Sequence, residues 1–251
     1  MTQGSVAMAM ASALFDALPD TCTMVAAGQV LDCLMQLTSD GENMTGLQRW
    51  LLEAVEGEHH GICLHTAMRA IAGLLQPASY LEIGVRRGWS LAQVCAESPN
   101  CNIVGVDTWV SNYAGAPNPG EFFVRAEILR VVPSFVGPLT FCSALRYVPP
   151  MAFSLALVDG DHTAAGAWYD LSYALSRAPI GGVVVFDDLL PFSDDGGPET
   201  LLDVWARAHR VYGSEFLWRA FPQALVPFGV VVRVRSTTSD EVEAWTDDDV
   251  A

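Results

Sequence analysis

Residues 80–90, Tyr-Leu-Glu-Ile-Gly-Val-Arg-Arg-Gly-Trp-Ser, constrain the fold of this chain more than any other segment. A short apolar run breaks at two glycines and then gives way to a helical pattern, which predicts a buried strand, a tight turn and a helix. Glu82 lies inside the predicted strand, and Gly84 and Gly88 would let the backbone approach a ligand with no Cβ in the way. Ser90 or a neighbour is expected to begin the helix. The segment therefore predicts a ligand-binding strand–turn–helix unit.

The next apolar run, residues 102–107, ends in Asp107, which follows Gly88 by 19 residues. An acid at the tip of a second strand can accept hydrogen bonds from both hydroxyls of a ribose. Dinucleotide-binding proteins have G-x-G-x-x-G, whose second glycine admits a pyrophosphate, whereas this chain has E-x-G-x-x-x-G. The two strands together predict a half-fold that binds an adenosine compound. A glycine-rich turn that serves only tight packing is the alternative.

The E-x-G-x-x-x-G run and Asp107 resemble motif I and the second-strand acid of the class I S-adenosylmethionine-dependent methyltransferases, and the resemblance covers about residues 64–234. It implies a doubly wound, Rossmann-like α/β sheet that is mostly parallel, with an antiparallel C-terminal strand. Ser143 falls where related methyltransferases contact adenine. The loop after Asp107 is expected to form cofactor or substrate walls with Trp109 and Tyr113, or only to pack down with these rings. The expected cofactor contacts are Glu82, Gly84, Gly88, Ser90, Asp107, Thr108, Trp109, Ser143 and Asp159.

Acidic residues end two further predicted strands. Residues 153–158 lead into Asp159 and Asp161, and residues 182–186 lead into Asp187 and Asp188. The carboxyl ends of parallel strands share one rim of a sheet, and so many converging negative charges are costly unless a cation joins them. We predict Mg²⁺ or a similar divalent ion, held by Asp159, Asp187 and Asp188, which would ready a substrate hydroxyl for methyl transfer. A strand-terminal Asp that only caps the following helix is the alternative for Asp161 or Asp188.

This arrangement resembles the metal-dependent O-methyltransferases, in particular the sugar enzymes of macrolide and aminocoumarin antibiotic pathways, and more distantly catechol O-methyltransferase and the cephalosporin-hydroxylase-like group. In such small-molecule enzymes a base closely follows the first metal-binding Asp. Catechol O-methyltransferase has Lys three positions on, where this chain has His162, and the chain contains no Lys. Some sugar enzymes have Asp two positions on, which here is Asp161. We favour His162 as the catalytic base because its ordinary pKa is near neutral, and Asp161 is the alternative.

The function that follows is methyl transfer to a hydroxyl of a small polyhydroxylated acceptor, with a natural-product sugar as the leading candidate. A cephalosporin-hydroxylase-like protein that keeps the adenosyl fold without methylating, and a non-catalytic binder, are the alternatives. Acids outnumber bases 29 to 13, for a formal charge of −16, so no nucleic acid partner is expected. The six cysteines form no C-x-x-C pair, and no run reaches about 18 apolar residues. We therefore expect a cytoplasmic protein with reduced thiols and no membrane partner.

The chain divides into three predicted parts. Residues 1–60 form a helical extension that packs on its own domain or forms a homo-oligomer, with Pro19 and residues 39–43 interrupting the helices. Residues 61–236 form the methyltransferase domain, and residues 237–251 form an acidic mobile tail. The histidine-rich residues 58–65 are expected near the methionine end of the cofactor or in a solvated loop.

Overall fold

A computed structural model describes residues 2–37, 45–113 and 116–236. The helices are α1 (Gln3–Thr21), α2 (Met24–Leu37), α3 (Gly46–Val55), α4 (Leu64–Leu75), α5 (Trp89–Glu97), α6 (Glu121–Val131), α7 (Ala164–Arg177) and α8 (Leu201–Tyr212). The strands are β1 (Ser79–Ile83), β2 (Asn102–Val106), β3 (Asn112–Tyr113), β4 (Ala116–Pro117), β5 (Leu139–Cys142), β6 (Leu155–Val158), β7 (Val183–Phe186), β8 (Phe216–Phe221) and β9 (Phe228–Arg233).

Seven strands form one sheet in the order β5-β2-β1-β6-β7-β9-β8. The pairs β5-β2, β2-β1, β1-β6 and β6-β7 are parallel, while β9 runs antiparallel to both β7 and β8. This confirms the predicted fold class: a doubly wound, mostly parallel α/β sheet with an antiparallel C-terminal strand. The chain winds outward from β1 in both directions, so the crevice between the carboxyl ends of β1 and β6 is the switch point at which such sheets bind ligands.

The register of the central strands brings their carboxyl ends to one level. Ile83 pairs with Val106 on one side and with Val158 on the other, and Val158 pairs with Phe186. The residues that follow these strands therefore lie side by side along one rim of the sheet. They are Gly84, Asp107, Asp159 and Asp187.

The central strands are buried on both faces, which is why β6 and β7 are continuous apolar runs and β1 is interrupted only by Ser79 and Glu82. Successive side chains point to opposite faces, so Leu155 and Val183 pack with α1 to α5, whereas Ala156 and Val184 pack with α7 and α8. Covering both faces with helices leaves the ends of the strands as the places where polar side chains can collect.

The N-terminal helices share the core of the sheet. Ala11 of α1, Val30 and Leu34 of α2 and Leu51 of α3 are fully buried in the same cluster as Tyr80 of β1. We expected Pro19 to interrupt the first helix, but α1 runs through it to Thr21. Proline there removes only one N–H in the last turn, and the Thr21 hydroxyl donates to the carbonyl of Ala17 at 2.9 Å.

Two predicted segments, residues 39–43 and the acidic tail 237–251, lie outside the described residues. None of the helices in the described part of the chain is both long enough and apolar enough to cross a membrane.

Candidate active site

The glycines of the predicted motif are required by contacts within the chain. Gly84 has φ +90°, and a Cβ there would lie 1.7 Å from the carbonyl oxygen of Asp159. Gly88 has φ +72°, and a Cβ there would lie 2.7 Å from Cγ1 of Val124 in α6. From the sequence we predict that both glycines let the backbone approach a ligand. The structure shows that Gly84 lets the ends of β1 and β6 touch and that Gly88 lets α6 pack on the turn.

Glu82 lies in the interior beneath this turn. Its carboxylate oxygens accept hydrogen bonds from the Tyr80 hydroxyl at 2.5 Å and from the Ser90 hydroxyl at 2.7 Å. Burial raises the pKa of Glu82 to about 8, and these hydrogen bonds only partly offset that rise. Glu82 and Ser90, both expected to contact cofactor, therefore tie the first turn of α5 to β1.

Asp107 joins the glycine turn to the loop after β2. Its carboxylate accepts hydrogen bonds from the backbone N–H groups of Arg86 and Trp109, each at 2.7 Å, and from the Asn118 side chain at 3.2 Å. It remains half-buried at the tip of β2, where remaining lone pairs can accept from a ribose. Sequence reasoning found Asp107 from its spacing but missed Asn118, because no local pattern connects the two.

The residues expected around the adenosine lie beside Asp107. Thr108 and Ser143 are exposed, and Ser143 directly follows β5, whose Cys142 carbonyl accepts from the Asp107 N–H at 3.1 Å. The Trp109 ring packs edge-on against Phe141 with centroids 5.4 Å apart. Its Nε1 atom is buried without a hydrogen-bond partner among the described residues. The side chain of Tyr113, the other expected wall, lies outside the described part of the structure.

A cleft of about 390 Å³ opens at the carboxyl ends of β1 and β6. This volume falls within the range of about 300–1,000 Å³ that small-molecule sites occupy. His65, in the first turn of α4, lines it, and burial lowers the pKa of His65 to about 4, so the ring is neutral. Of the other histidines in the 58–65 segment, His59 stacks on Trp50 at 4.2 Å and His60 is exposed. The lining residues are Leu47, His65, Gly84, Val85, Arg86, Arg87, Trp89, Ser90 and Asp159.

Acidic groups and one histidine collect where β6 and β7 end. His162 Nε2 lies 3.5 Å from Asp159 Oδ1 and 3.2 Å from Asp188 Oδ2. One ligand atom from each of these three residues lies within 4.8 Å of the others. The hydrogen bond to Asp159 and the nearby carboxylates raise the pKa of His162 to about 8. The Nδ1 atom on the other side of the ring faces Asp194 at 3.8 Å, a residue the sequence analysis did not identify.

The third predicted ligand, Asp187, carries the clearest sign of an incomplete site. Its Oδ1 atom is buried with no hydrogen-bond partner among the described residues. Burial, followed by the charges of Asp159 and Asp188, raises the pKa of Asp187 well above its ordinary value. Burial and its neighbours also raise the pKa of both Asp159 and Asp188. The group whose ligand atoms lie within 4.8 Å of one another consists of Asp159, His162 and Asp188, and Asp187 lies outside it. Carboxylates that repel one another fit a divalent cation such as Mg²⁺.

Asp161 lies apart from this cluster. Its side chain is exposed and accepts a hydrogen bond from the Thr163 N–H at 2.8 Å, at the start of α7. Beneath the same loop the buried Asp170 accepts from the Asp161 N–H at 3.3 Å, and burial raises the pKa of Asp170 to about 6. The two candidate bases thus point in different directions, which the sequence could not reveal because they are adjacent in the chain.

Comparison with known proteins agrees with this geometry. Residues 81–189 match the family model described as a methyltransferase domain, while no curated protein matches the sequence. The O-methyltransferase TomG from Streptomyces achromogenes, solved with S-adenosylmethionine, has a similar structure at 16% identity and a TM-score of 0.51, covering 83% of this chain and 89% of TomG. An O-methyltransferase from Bacillus cereus in complex with SAH is similar at 13% identity and a TM-score of 0.51, covering 83% and 90% of the two chains.

The O-methyltransferase NovP is similar at 15% identity and a TM-score of 0.51, covering 68% of this chain and 78% of NovP. The similarity to these structures shows the fold, and the family model shows which residues resemble a methyltransferase domain. The strand, glycine turn, helix and second-strand acid of that domain are the features described above. Residues 81–189 are therefore similar to a methyltransferase domain and lie within a doubly wound α/β fold that this chain shares with solved O-methyltransferases.

Proposed function

We propose that this protein is a cytoplasmic, Mg²⁺-dependent O-methyltransferase that transfers a methyl group from S-adenosylmethionine to a hydroxyl of a small polyhydroxylated acceptor. The observation that carries the proposal is a buried Asp187 oxygen with no hydrogen-bond partner in the described part of the chain, among acids from two strand ends and beside a cleft at the switch point. Six buried free thiols support the reducing compartment. TomG is described as taking part in tomaymycin synthesis, which supports a natural-product acceptor, with a sugar as the leading candidate.

The order of groups along the rim supports one orientation of the cofactor. Asp107 at the end of β2 would bind the ribose hydroxyls, and Asp159 lies on the other side of β1, at the end of β6. A cofactor bound to both residues would cross the glycine turn, with its sulfonium towards the acidic cluster. The acceptor then enters beside the loop that follows β7, where Asp194 N–H donates to the His162 carbonyl at 2.9 Å.

Asp159, Asp187 and Asp188 would hold the cation. Bound there, Mg²⁺ supplies Lewis-acid chemistry that lowers the pKa of an acceptor hydroxyl. The Asp188 backbone has φ +55°, a strained conformation for a non-glycine residue, which directs its carboxylate towards His162 and Asp159. The three carboxylates would also keep the reacting groups in fixed positions, which is a large part of catalysis when two substrates must meet.

His162 is the proposed general base. Its Nε2 atom accepts the hydroxyl proton while the acceptor oxygen bonds to the methyl carbon and the carbon–sulfur bond breaks, which leaves S-adenosylhomocysteine. The hydrogen bond to Asp159 and the carboxylates around the ring raise the pKa of His162 to about 8, and a cation bound to those carboxylates would lower that pKa. Asp161 is less suited because its carboxylate is bound to the start of α7.

Titration calorimetry tests the proposal. S-adenosylmethionine is titrated into the protein with Mg²⁺ and then with EDTA, and methyl transfer is screened over sugars and catechols. We expect binding of both cofactor and ion, and transfer that EDTA abolishes. The proposal fails if neither binds, or if both bind and no acceptor is methylated, since the latter result favours a non-methylating protein of the cephalosporin-hydroxylase-like kind.

Two variants separate the candidate bases. His162→Ala should lower kcat by roughly 10²- to 10⁴-fold, which is the usual contribution of a positioned general base. Asp161→Asn keeps an oxygen that can accept from Thr163 and should lower kcat by less than about tenfold. Full activity in His162→Ala together with no activity in Asp161→Asn would assign the base to Asp161 instead.

A further inference from the structure

Arg87 has an unusual position for a cation in this chain. It lies in the turn between Gly84 and α5, is half-buried, and lines the cleft together with His65, Trp89 and Asp159. Its guanidinium carbon lies 5.7 Å from the centroid of the Trp89 ring, within the range of a cation–π contact. Trp89 in turn meets His65, with ring centroids 6.3 Å apart. These contacts hold the Arg87 side chain against the wall of the cleft.

The charge of Arg87 is not balanced by an ion pair in the part of the chain that the structure describes. The chain has 29 acids and 13 bases, and several arginines pair closely with acids, as Arg69 does with Glu97 at 2.7 Å and Arg233 with Glu215 at 2.8 Å. Within the described residues, Arg87 has neither an ion pair nor a side-chain hydrogen bond to another residue. A half-buried guanidinium with five N–H donors is therefore available to an anion that enters the cleft.

Arg87 differs in charge or contacts from the other ionisable groups that line the cleft. His65 is neutral because burial lowers its pKa to about 4. Arg86 is exposed, and its positive charge acts to lower the pKa of Asp159. The cleft thus has a carboxylate at the end of β6 and a cation beside the start of α5.

The cofactor orientation proposed above brings a carboxylate to this cation. With the ribose at Asp107 and the sulfonium towards the acidic cluster, the amino-acid end of S-adenosylmethionine would lie over residues 84–89. The α-carboxylate is the one anionic group of that molecule, since its ammonium and sulfonium are cationic. We propose that Arg87 binds this carboxylate by a charge-assisted hydrogen bond, an inference that rests on the proposed function and makes Arg87 a cofactor-selecting residue.

The experiment pairs a change in the protein with a change in the ligand. Dissociation constants are measured by calorimetry for S-adenosylmethionine and for decarboxylated S-adenosylmethionine, with wild type, Arg87→Gln and Arg87→Lys. Wild type should prefer S-adenosylmethionine, and Arg87→Gln should weaken its binding roughly 10- to 100-fold, which is the range for a hydrogen bond to a charged group. Binding of the decarboxylated ligand should change less than about threefold, and Arg87→Lys should retain part of the preference.

Arg177→Gln is the matched control, because Arg177 also stacks on an aromatic ring, that of Tyr173 at 5.0 Å, at the end of α7 remote from the cleft. It should leave both constants unchanged. The inference would be overturned if Arg87→Gln bound S-adenosylmethionine as tightly as wild type does. It would also be overturned if the variant bound both ligands more weakly by the same factor, because Arg87 would then serve only to pack on Trp89. If wild type binds neither ligand, the proposed function itself fails, which is a different pattern from either of these.

Discussion

Gly84→Ala is the substitution whose effect the structure defines best. The added Cβ would lie 1.7 Å from the carbonyl oxygen of Asp159 and 2.4 Å from its carbonyl carbon, both backbone atoms that cannot rotate away. Gly84 also has φ +90°, a conformation that L side chains rarely adopt. The variant must therefore move the end of β1 away from the end of β6, at the point where Asp159 begins the acidic cluster.

The expected cost has two parts. The left-handed backbone costs a non-glycine residue about 1–2 kcal/mol. Overpacking against a fixed neighbour typically costs about 1–3 kcal/mol more. Gly84→Ala should therefore lower the free energy of unfolding by about 2–5 kcal/mol, a large part of the stability of an ordinary domain.

Urea denaturation measures this free energy, and Gly181→Ala is the matched control. Gly181 has φ +83°, but a Cβ there meets no atom within 4 Å, so this variant should lose only the backbone part, about 1–2 kcal/mol. Loss of equal stability in the two variants would refute the claim that contact between the strand ends requires Gly84. Because Asp159 must shift, the folded fraction of Gly84→Ala should also bind S-adenosylmethionine and Mg²⁺ more weakly, as calorimetry can measure.

Four further predictions follow from the same packing and charges. The folded-state pKa of Glu82 is about 8 against an ordinary 4.5, so its contribution to stability is full below about pH 4.5 and is lost as pH rises through 8. Between pH 5 and pH 9, the free energy of unfolding should fall by up to about 5 kcal/mol less in Glu82→Gln than in wild type, as urea denaturation measures. An unchanged pH profile would contradict this. Asp187→Asn should raise the Tm in EDTA by a few degrees because it relieves repulsion, yet should abolish the rise in Tm that Mg²⁺ produces; calorimetric scans with and without the ion test both. Gly88→Ala should lose about 2–4 kcal/mol, and the double variant with Val124→Ala should lose less than the two single losses together, a coupling that a urea double-mutant cycle measures. The homo-oligomer through the N-terminal helices stays a prediction, which light scattering coupled to size-exclusion chromatography decides, since a monomer at all concentrations would rule it out.

The sequence by itself determined the class of the fold and the place of its site. Apolar runs too continuous for a half-exposed sheet require strands buried on both faces, and such strands require covering helices on both sides. Because parallel strands end at one rim, the acids after residues 158 and 186 had to approach each other and the glycine turn. The strands and their acidic ends depend on local patterns, and the doubly wound order of the sheet depends on the resemblance to class I methyltransferases.

The tertiary structure decided which atoms face the site. Asp161 and His162 are neighbours in sequence, yet one carboxylate binds the start of α7 and the other side chain enters the acidic cluster. Glu82 and Gly88 stay predicted cofactor contacts, and the structure adds contacts that no local pattern shows: Glu82 binds Tyr80, and Gly88 lies against a helix that begins at residue 121. Side-chain direction and long-range packing depend on residues distant in sequence, and a local pattern contains no information about them.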